Sequence, residues 1–318
     1  MHEPLGYHLQ MTQRGQLEIV CLGGGTGLAY LLRGLKRLRA HVTAIVTLTD
    51  DGGSSGRLRR DLEMPPPGDV RNCLVALAED ESLMGRLFQH RFDRGELAGH
   101  NLGNLFLAAL TEVVGSFDAA ISEVGNVLAV QGTVIPATTH PAALLAEMED
   151  GRFVAGETAV AKDRHGVRRL FISPPDAQAT PAAMDAIALA DLIVLGPGSL
   201  FTSTLPPLLV PGLRDAVLQA RAKKVYVCNL LQQPGETIGY RASDHVERLR
   251  QHVGQGSVDA VLMPRRQLAT EKIAVEFDAP RLLQLGVEPI EAEIVAADGF
   301  HHDPDALALA LARAVARR

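Results

Sequence analysis

The chain is expected to fold as an α/β protein: a mostly parallel sheet with helices on both faces and a small antiparallel β insert. Three observations carry this. Long apolar runs alternate with helical patterns, as strands buried on both faces and their crossover helices do. The stretch from Leu17 to Asp51 reads strand, glycine turn, helix, strand, acid, the layout of a nucleotide-binding βαβ unit. Residues 127–172 break that rhythm with short alternating segments punctuated by Gly132, Gly151, Gly156 and Gly166, which reads as antiparallel strands.

The first apolar run, residues 17–22, is short enough to be a buried strand. Gly23, Gly24, Gly25, Thr26 and Gly27 follow, then a helical pattern carrying Leu28, Leu31, Leu32, Leu35 and Leu38. A second strand, residues 42–48, leads to Asp50 and Asp51. The glycines let backbone N–H groups approach a phosphate with no Cβ in the way, and the helix start adds partial positive charge. An acid at the tip of the second strand can accept from ribose hydroxyls. The fingerprint is incomplete, because Leu28 stands where a third glycine belongs and no Lys follows as in a Walker loop. The plainer reading is a tight strand-to-helix turn without a ligand.

Further along, Asp69 is placed to cap a helix with Val70, Leu74 and Leu77 on one face. The antiparallel meander is expected from residues 127–134, 152–154, 158–161 and 167–172. More strands are expected at 191–195, 224–229, 258–263 and 293–296. Leu213, Ala216, Val217 and Ala220 form a helical stripe. Asp244 with Glu247 reads as a capping box before Val246, Leu249 and Val253. The last helix opens at Asp303-Pro304, with Pro in its favoured first turn, and carries Leu307, Leu311 and Val315. Residues 1–16 are polar and read as a flexible tail. Residues 17–318 read as a single nucleotide-binding α/β domain, with the β-meander insert at about 127–172.

Composition bounds the function. The 318 residues hold 31 Lys and Arg against 37 Asp and Glu, a net charge of −6. That argues against broad nucleic-acid binding, although Arg57, Arg59 and Arg60 make a local basic patch. Aromatic content of 4% without Trp argues against a base-stacking platform for single strands. Cys21, Cys73 and Cys228 have no CxxC spacing and cannot form a disulfide framework. No apolar run approaches the roughly 20 residues of a membrane span, and the first residues lack the apolar core of a signal peptide. The cytoplasm is the expected compartment.

Six polar, glycine-bearing segments stand at strand ends or helix starts. The glycine turn is the first. Asp50 and Asp51, followed by small residues and Arg57, could hold Mg²⁺ and a phosphate, or simply form a solvated loop. Residues 65–72 form a rigid turn into a helix and carry Gly68, Asp69 and Asn72. Residues 99–104 carry His100, a candidate general base or phosphate donor, with Asn104 and with Asn101 as a candidate helix cap. Residues 196–203 and 229–237 follow strands and supply Gly196, Gly198, Ser199 and Leu200, then Asn229, Gln233, Gly235, Glu236 and Thr237. In open α/β sheets ligands sit outside the carboxyl ends of the strands, so several such loops on one rim indicate a nucleotide cleft.

With these residues in hand, the chain resembles the YvcK-like proteins, the gluconeogenesis factors of bacteria, in the superfamily of the 2-phospho-L-lactate transferases. The carriers are GGGTGL at Gly23, DDGGSSGRLR at Asp50, PPGDVRNCLVALA at Pro66, GHNLGNLFLAAL at Gly99, GPGSLFTS at Gly196 and QPGET at Gln233. The transferase branch would carry an SPDLDT-type segment where this chain has PPGD. The resemblance implies a Rossmann-like three-layer fold and a nucleotide-sugar ligand, UDP-N-acetylglucosamine, rather than a redox cofactor. It also implies a role in cell shape and cell-wall homeostasis during gluconeogenic growth. Two departures stand out. Leu231-Gln232-Gln233 replaces an N-x-M-T-Q pattern, and His301-His302-Asp303 replaces Arg-His-Asp. A histidine at 301 would grip a diphosphate only weakly at neutral pH.

The leading expectation is a nucleotide-sugar sensor without chemistry of its own. Residues 23–27 would cradle the diphosphate, and Asp50 and Asp51 would hold ribose or Mg²⁺. The rival is a Mg²⁺-dependent transferase acting on a nucleotide-diphosphate-activated phospho-acid, with Asp50 or Asp69 on the metal and His100 as base. An NAD-dependent oxidoreductase, from the βαβ unit alone, fits least. A regulatory protein partner and a homo-oligomer stay open, and neither nucleic acid nor a membrane span is expected.

Overall fold

The computed structural model describes residues 16–79, 83–266, 268 and 273–316. The expected N-terminal tail, apart from Gln16, lies outside the described residues. The strands are β1 (Leu17–Gly23), β2 (Ala40–Val46), β3 (Thr133–Pro136), β4 (Ala143–Met148), β5 (Phe153–Ala155), β6 (Val167–Ser173), β7 (Leu192–Leu195), β8 (Lys223–Val227), β9 (Ala260–Pro264) and β10 (Glu288–Ala292). Among the described residues, seven of them form one sheet in the order β10-β9-β8-β7-β1-β2-β3. All its pairings are parallel. β4 to β6 form a separate antiparallel sheet in the order β5-β4-β6.

Alternation along β1 explains the layers. Ile19 and Cys21 point to one face and Val20 and Leu22 to the other, and all four are buried, as the two-residue period of a strand dictates. On the first face lie the helices Gly25–Leu35, Gly68–Leu77, Leu102–Val114, Phe117–Val127 and Pro304–Ala316, which share one apolar core with Ile19 and Cys21. Leu28, Leu31, Leu32 and Leu35 are fully buried there, so the helical stripe is the reason this segment docks. On the second face the helices Pro181–Leu189, Leu213–Gln219 and Ala242–Val253 pack with Val20 and Leu22. Leu144, Ala146 and Leu170 of the small sheet join that same core. The three cysteines are free and buried.

Several expectations are corrected. The segment 127–134 is not part of the antiparallel meander: its end is β3, paired in parallel with β2. The pairing partner lies some ninety residues upstream, and a short apolar run does not announce such a partner. Residues 158–161 lie in a helix, Glu157–Lys162, not a strand. The last strand is β10 at Glu288–Ala292, not 293–296. It is the sheet edge and buries only Ile290 of its five residues, so it lacks a continuous apolar run, and Pro289 is tolerated there because an edge strand leaves one side unpaired. Asp244 does not cap its helix; it is the third helical residue and reaches back to the Arg241 N–H at 2.7 Å. Asp303 does cap the last helix, accepting the Ala306 N–H at 2.8 Å.

Candidate functional site

The strand order reverses between β1 and β7, so the carboxyl ends of these neighbours open a crevice at the topological switch point. Each end runs into a glycine turn, and the two turns face each other. A Cβ on Gly27 would lie 2.5 Å from the Pro197 carbonyl oxygen, and one on Gly198 would lie 3.4 Å from the Gly24 carbonyl oxygen. Gly25 alone of residues 23–27 has a positive φ, +69°, a region that side-chain-bearing residues enter at a cost. Gly24 is glycine for a different reason. Its φ of −165° suits any residue, but a Cβ there would meet Asp69 Oδ2 and Thr47 Cγ2, each at 2.5 Å.

A cleft of about 680 Å³ opens above these turns. Of the residues expected from sequence, Gly24, Gly25, Thr26, Gly27, Gly198, Ser199, Asn229 and Gln233 line it. Gln233 ties its far wall together: Asn229 Nδ2 donates to Gln233 Oε1 at 3.0 Å, and Gln233 Nε2 donates to Ser199 Oγ at 2.7 Å. Leu200, Glu236 and Thr237 stand behind the lining. Glu236 is 6% exposed and accepts from the Phe201 N–H at 3.1 Å and Thr202 Oγ1 at 2.9 Å, so it holds the π-helical turn Leu200–Thr204 in place. Thr237 Oγ1 accepts the Gln233 N–H at 2.9 Å. Gly235 packs on the helix Glu157–Lys162, where a Cβ would lie 2.6 Å from the Ala161 carbonyl oxygen. Gly23 and Gly196 end the two strands side by side.

The acids form a second cluster beside the glycine turn. Asp69 does not cap its helix; Pro67 holds that position and makes no side-chain cap bond. Its carboxylate instead accepts the Gly25 N–H. Desolvation by the surrounding protein, then the nearby Asp50, raise its pKa to about 6. Asp50 takes the Gly52 N–H at 2.9 Å on Oδ1 and lies near Gly68 through Oδ2. Glu157, which the sequence reading missed, accepts from Thr49 Oγ1 at 2.8 Å. Burial and then Asp69 push its pKa well above the usual carboxylate range. Asp51 turns away to the small sheet, accepting Thr158 N at 2.9 Å and Thr158 Oγ1 at 2.6 Å, and so caps the helix Glu157–Lys162.

Asn72, His100, Asn101 and Asn104 lie outside the cleft lining. Asn101 caps the helix Leu102–Val114, its Oδ1 accepting Asn104 N at 3.1 Å. Asn72 Oδ1 accepts from Arg71 at 2.6 Å, and Asn104 Nδ2 reaches Ser55 Oγ at 3.4 Å. His100 Nδ1 meets Ser54 Oγ at 3.2 Å.

At the cleft mouth the sequence had pointed to His301 but not to Tyr30 or Phe300. Tyr30 stacks on His301 with ring centroids 6.0 Å apart, and Phe300 stands beside them. Tyr30 is one helical turn beyond Gly27, a spacing that would have flagged it. His302 lines the cleft, with its ring bonded to the Cys228 backbone, Nε2 unpaired, and its pKa pulled to about 4 by burial. It is therefore neutral.

For magnesium, Asp50 and Asp51 do not make a ready ligand pair, because Asp51 is spent on Thr158. Among the described residues no group of three or more His, Cys, Asp or Glu side chains is arranged to hold a metal ion. The charge that a cation would offset sits on Asp50 and Asp69, and the nearby Asp50 adds to the raised proton affinity of Asp69. Two carboxylates completed by a ligand's phosphates suit Mg²⁺, which is commonly held that way. Among the described residues no single helix is long and apolar enough to cross a membrane.

A parallel sheet wound both ways from its middle, with glycine turns facing across the switch point, defines a Rossmann-like α/β protein. The family described as 2-phospho-L-lactate transferase CofD matches residues 19–295. The gluconeogenesis factor of Bacillus subtilis strain 168 is 48% identical over 298 residues, covering 90% of this chain and 94% of its own. The gluconeogenesis factor of Halalkalibacterium halodurans is 50% identical over 283 residues, covering 86% and 88%. A crystal structure of a UPF0052 family member from Bacillus halodurans superposes with a TM-score of 0.90 at 46% identity, covering 93% of this chain and 98% of that one. The chain belongs to the CofD family, in the branch of the bacterial gluconeogenesis factors.

Proposed function

We propose that the protein binds a nucleotide sugar of the UDP-N-acetylglucosamine type and acts as a regulatory gluconeogenesis factor, serving cell shape and cell-wall homeostasis during gluconeogenic growth. The observation that carries this is the pair of facing glycine turns over a cleft of about 680 Å³, a volume in the range of small-ligand sites. The Thr26 and Gly27 amides, at the positive end of a helix, suit a diphosphate. Ser199, Asn229 and Gln233 offer hydroxyl and amide groups to a sugar, and Tyr30 and Phe300 offer apolar faces. Mg²⁺ at Asp50 and Asp69 would offset the repulsion between these acids and the phosphates.

One observation favours a second reading, a phospho-group transferase. Asp69 and Glu157 cluster beside the cradle with Asp50 and have raised proton affinity, a common property of catalytic acids, and the matching family carries a transferase name. Calorimetry with UDP-N-acetylglucosamine, GDP and NAD, with and without Mg²⁺, tests the binding claim. Preference for NAD would overturn it. Incubating UDP-N-acetylglucosamine with excess protein and Mg²⁺ separates the two readings: a sensor returns it intact, and catalytic release of UDP or UMP identifies a transferase.

A further inference from the structure

Arg57, Arg71 and Arg91 gather around the loop 98–101. Arg57 Nη2 donates to the Ala98 carbonyl at 3.0 Å and Arg91 Nη1 to the Gly99 carbonyl at 2.7 Å. Two guanidiniums are thus fixed on consecutive residues of one loop. Arg71 lies beneath. It is only 8% exposed, its Nη2 donates to Asn72 Oδ1, and its Nε has no partner. Among the described residues none of the three has a carboxylate within ion-pair distance, whereas Arg37 and Arg281 are paired with Asp305 and Glu247. Their neutral acceptors use one donor each of the five that a guanidinium carries. The crowding is electrostatic as well as geometric: Arg71 is lowered to about 10 by burial and then by Arg91. His100 is lowered by burial and then by Arg57, with Asp61 opposing and Arg91 adding.

His100 completes the set. Ser54 Oγ accepts the Asn101 N–H at 3.2 Å and meets His100 Nδ1 at 3.2 Å, and its hydroxyl proton is free to go to Nδ1. In the tautomer with the Ser54 hydroxyl donating to Nδ1, the neutral ring carries its hydrogen on Nε2 as a further donor. We propose that Arg57, Arg91 and His100 form a second anion subsite, for a phosphate or carboxylate group of a ligand distinct from the nucleotide. Arg forks and an imidazole N–H are the donors that such groups select. None of the three lines the glycine cleft. Asp69, bonded to Gly25, and Asp50, next to Gly68, interact with Arg71, which in turn feels Arg91, so acids accompany the cleft side of the arginine group. The subsite stands whether or not the cleft takes a nucleotide.

The test is calorimetry of the full chain at low ionic strength with inorganic phosphate in one arm and malonate in the other. The wild type should bind at least one of them saturably. Arg57→Gln and Arg91→Gln should each weaken that binding tenfold or more, Arg91→Lys should restore part of it, and Arg214→Gln on another face should change nothing. Binding of phosphate alone identifies a phosphoryl group, and binding of malonate alone a carboxylate. Arg91 is exposed, so its variants report even if Arg57→Gln folds poorly. No saturable binding by the wild type overturns the proposal. So does binding untouched by Arg57→Gln and Arg91→Gln, which would place the anion in the glycine turn.

Discussion

The Asp69 carboxylate accepts the backbone N–H of Gly25, the first residue of the helix that follows the glycine turn. A protein anion therefore already uses one of the donors at the helix end where a diphosphate would dock. Its protonation state decides how welcoming that end is.

Asp69 holds its proton to about pH 6 in the folded chain, against 3.8 for an ordinary aspartate. Below 3.8 both folded and unfolded chains are protonated and nothing is lost. Between 3.8 and about 6 the folded state keeps a proton that the unfolded state has released, so stability falls as pH rises through this window. The full loss is roughly 3 kcal/mol. Asp69→Asn keeps an oxygen for Gly25 and should remove that slope, leaving the variant more stable than the wild type at pH 7. Urea unfolding from pH 4 to 8 measures it, and parallel curves for the two proteins would refute it.

Gly25→Val should abolish nucleotide binding. It places a β-branched residue at φ +69°, costing about 1–3 kcal/mol of stability. Gly27→Ala should also fail to bind, through a different contact, because its Cβ must push the Pro197 carbonyl away and part the two turns. Thermal melts with ligand titrations check both. A Gly27→Ala protein that melts and binds normally would show that the turns are not held in contact.

Asp50 and Asp51 should separate cleanly. The gain in nucleotide affinity from Mg²⁺ should vanish in Asp50→Asn and persist in Asp51→Asn. Asp51→Ala should instead cost about 1 kcal/mol by uncapping the helix Glu157–Lys162. Calorimetry with and without Mg²⁺ decides, and loss of the metal effect in Asp51→Asn would reverse the assignment.

Glu236→Ala should destabilise the chain by about 1–3 kcal/mol, because it strands the buried Phe201 N–H. Gln233→Ala should leave stability nearly unchanged, since its side chain lines an open cleft, yet weaken ligand binding by about 1 kcal/mol through loss of the Asn229–Ser199 link. Equal effects of the two substitutions on melting would contradict this division between support and lining.

Much of the frame was legible because buried parallel strands are written as local apolar runs. β1, β2, β7, β8 and β9 all fall on such runs. β4 was not expected at all, and β3 and β10 were misplaced for opposite reasons. β3 pairs far from its sequence neighbourhood, and β10 is an edge that needs little apolar surface. In the site, the glycine turns and the amide residues Asn229 and Gln233 were legible as small polar residues after strands. Glu157 was not, because its segment looks like a strand until Asp51, about a hundred residues earlier, caps it into a helix. Asp69 was read by its helix position, whereas its bond crosses to the turn after another strand.

The two walls of the cleft come from adjacent strands whose residues are far apart in the chain. Even the backbone of Glu18 is tied to the side chain of Asp191, 173 positions away. Such closure is slow to find, because a long loop must be ordered before its contacts form. On the ribosome, β1 and β2 emerge with their glycine turn long before β7 exists to face it. A nascent chain stopped before residue 192 would carry the whole βαβ unit and half a cleft. It should bind no nucleotide, so ligand capture reports completed synthesis of the central sheet.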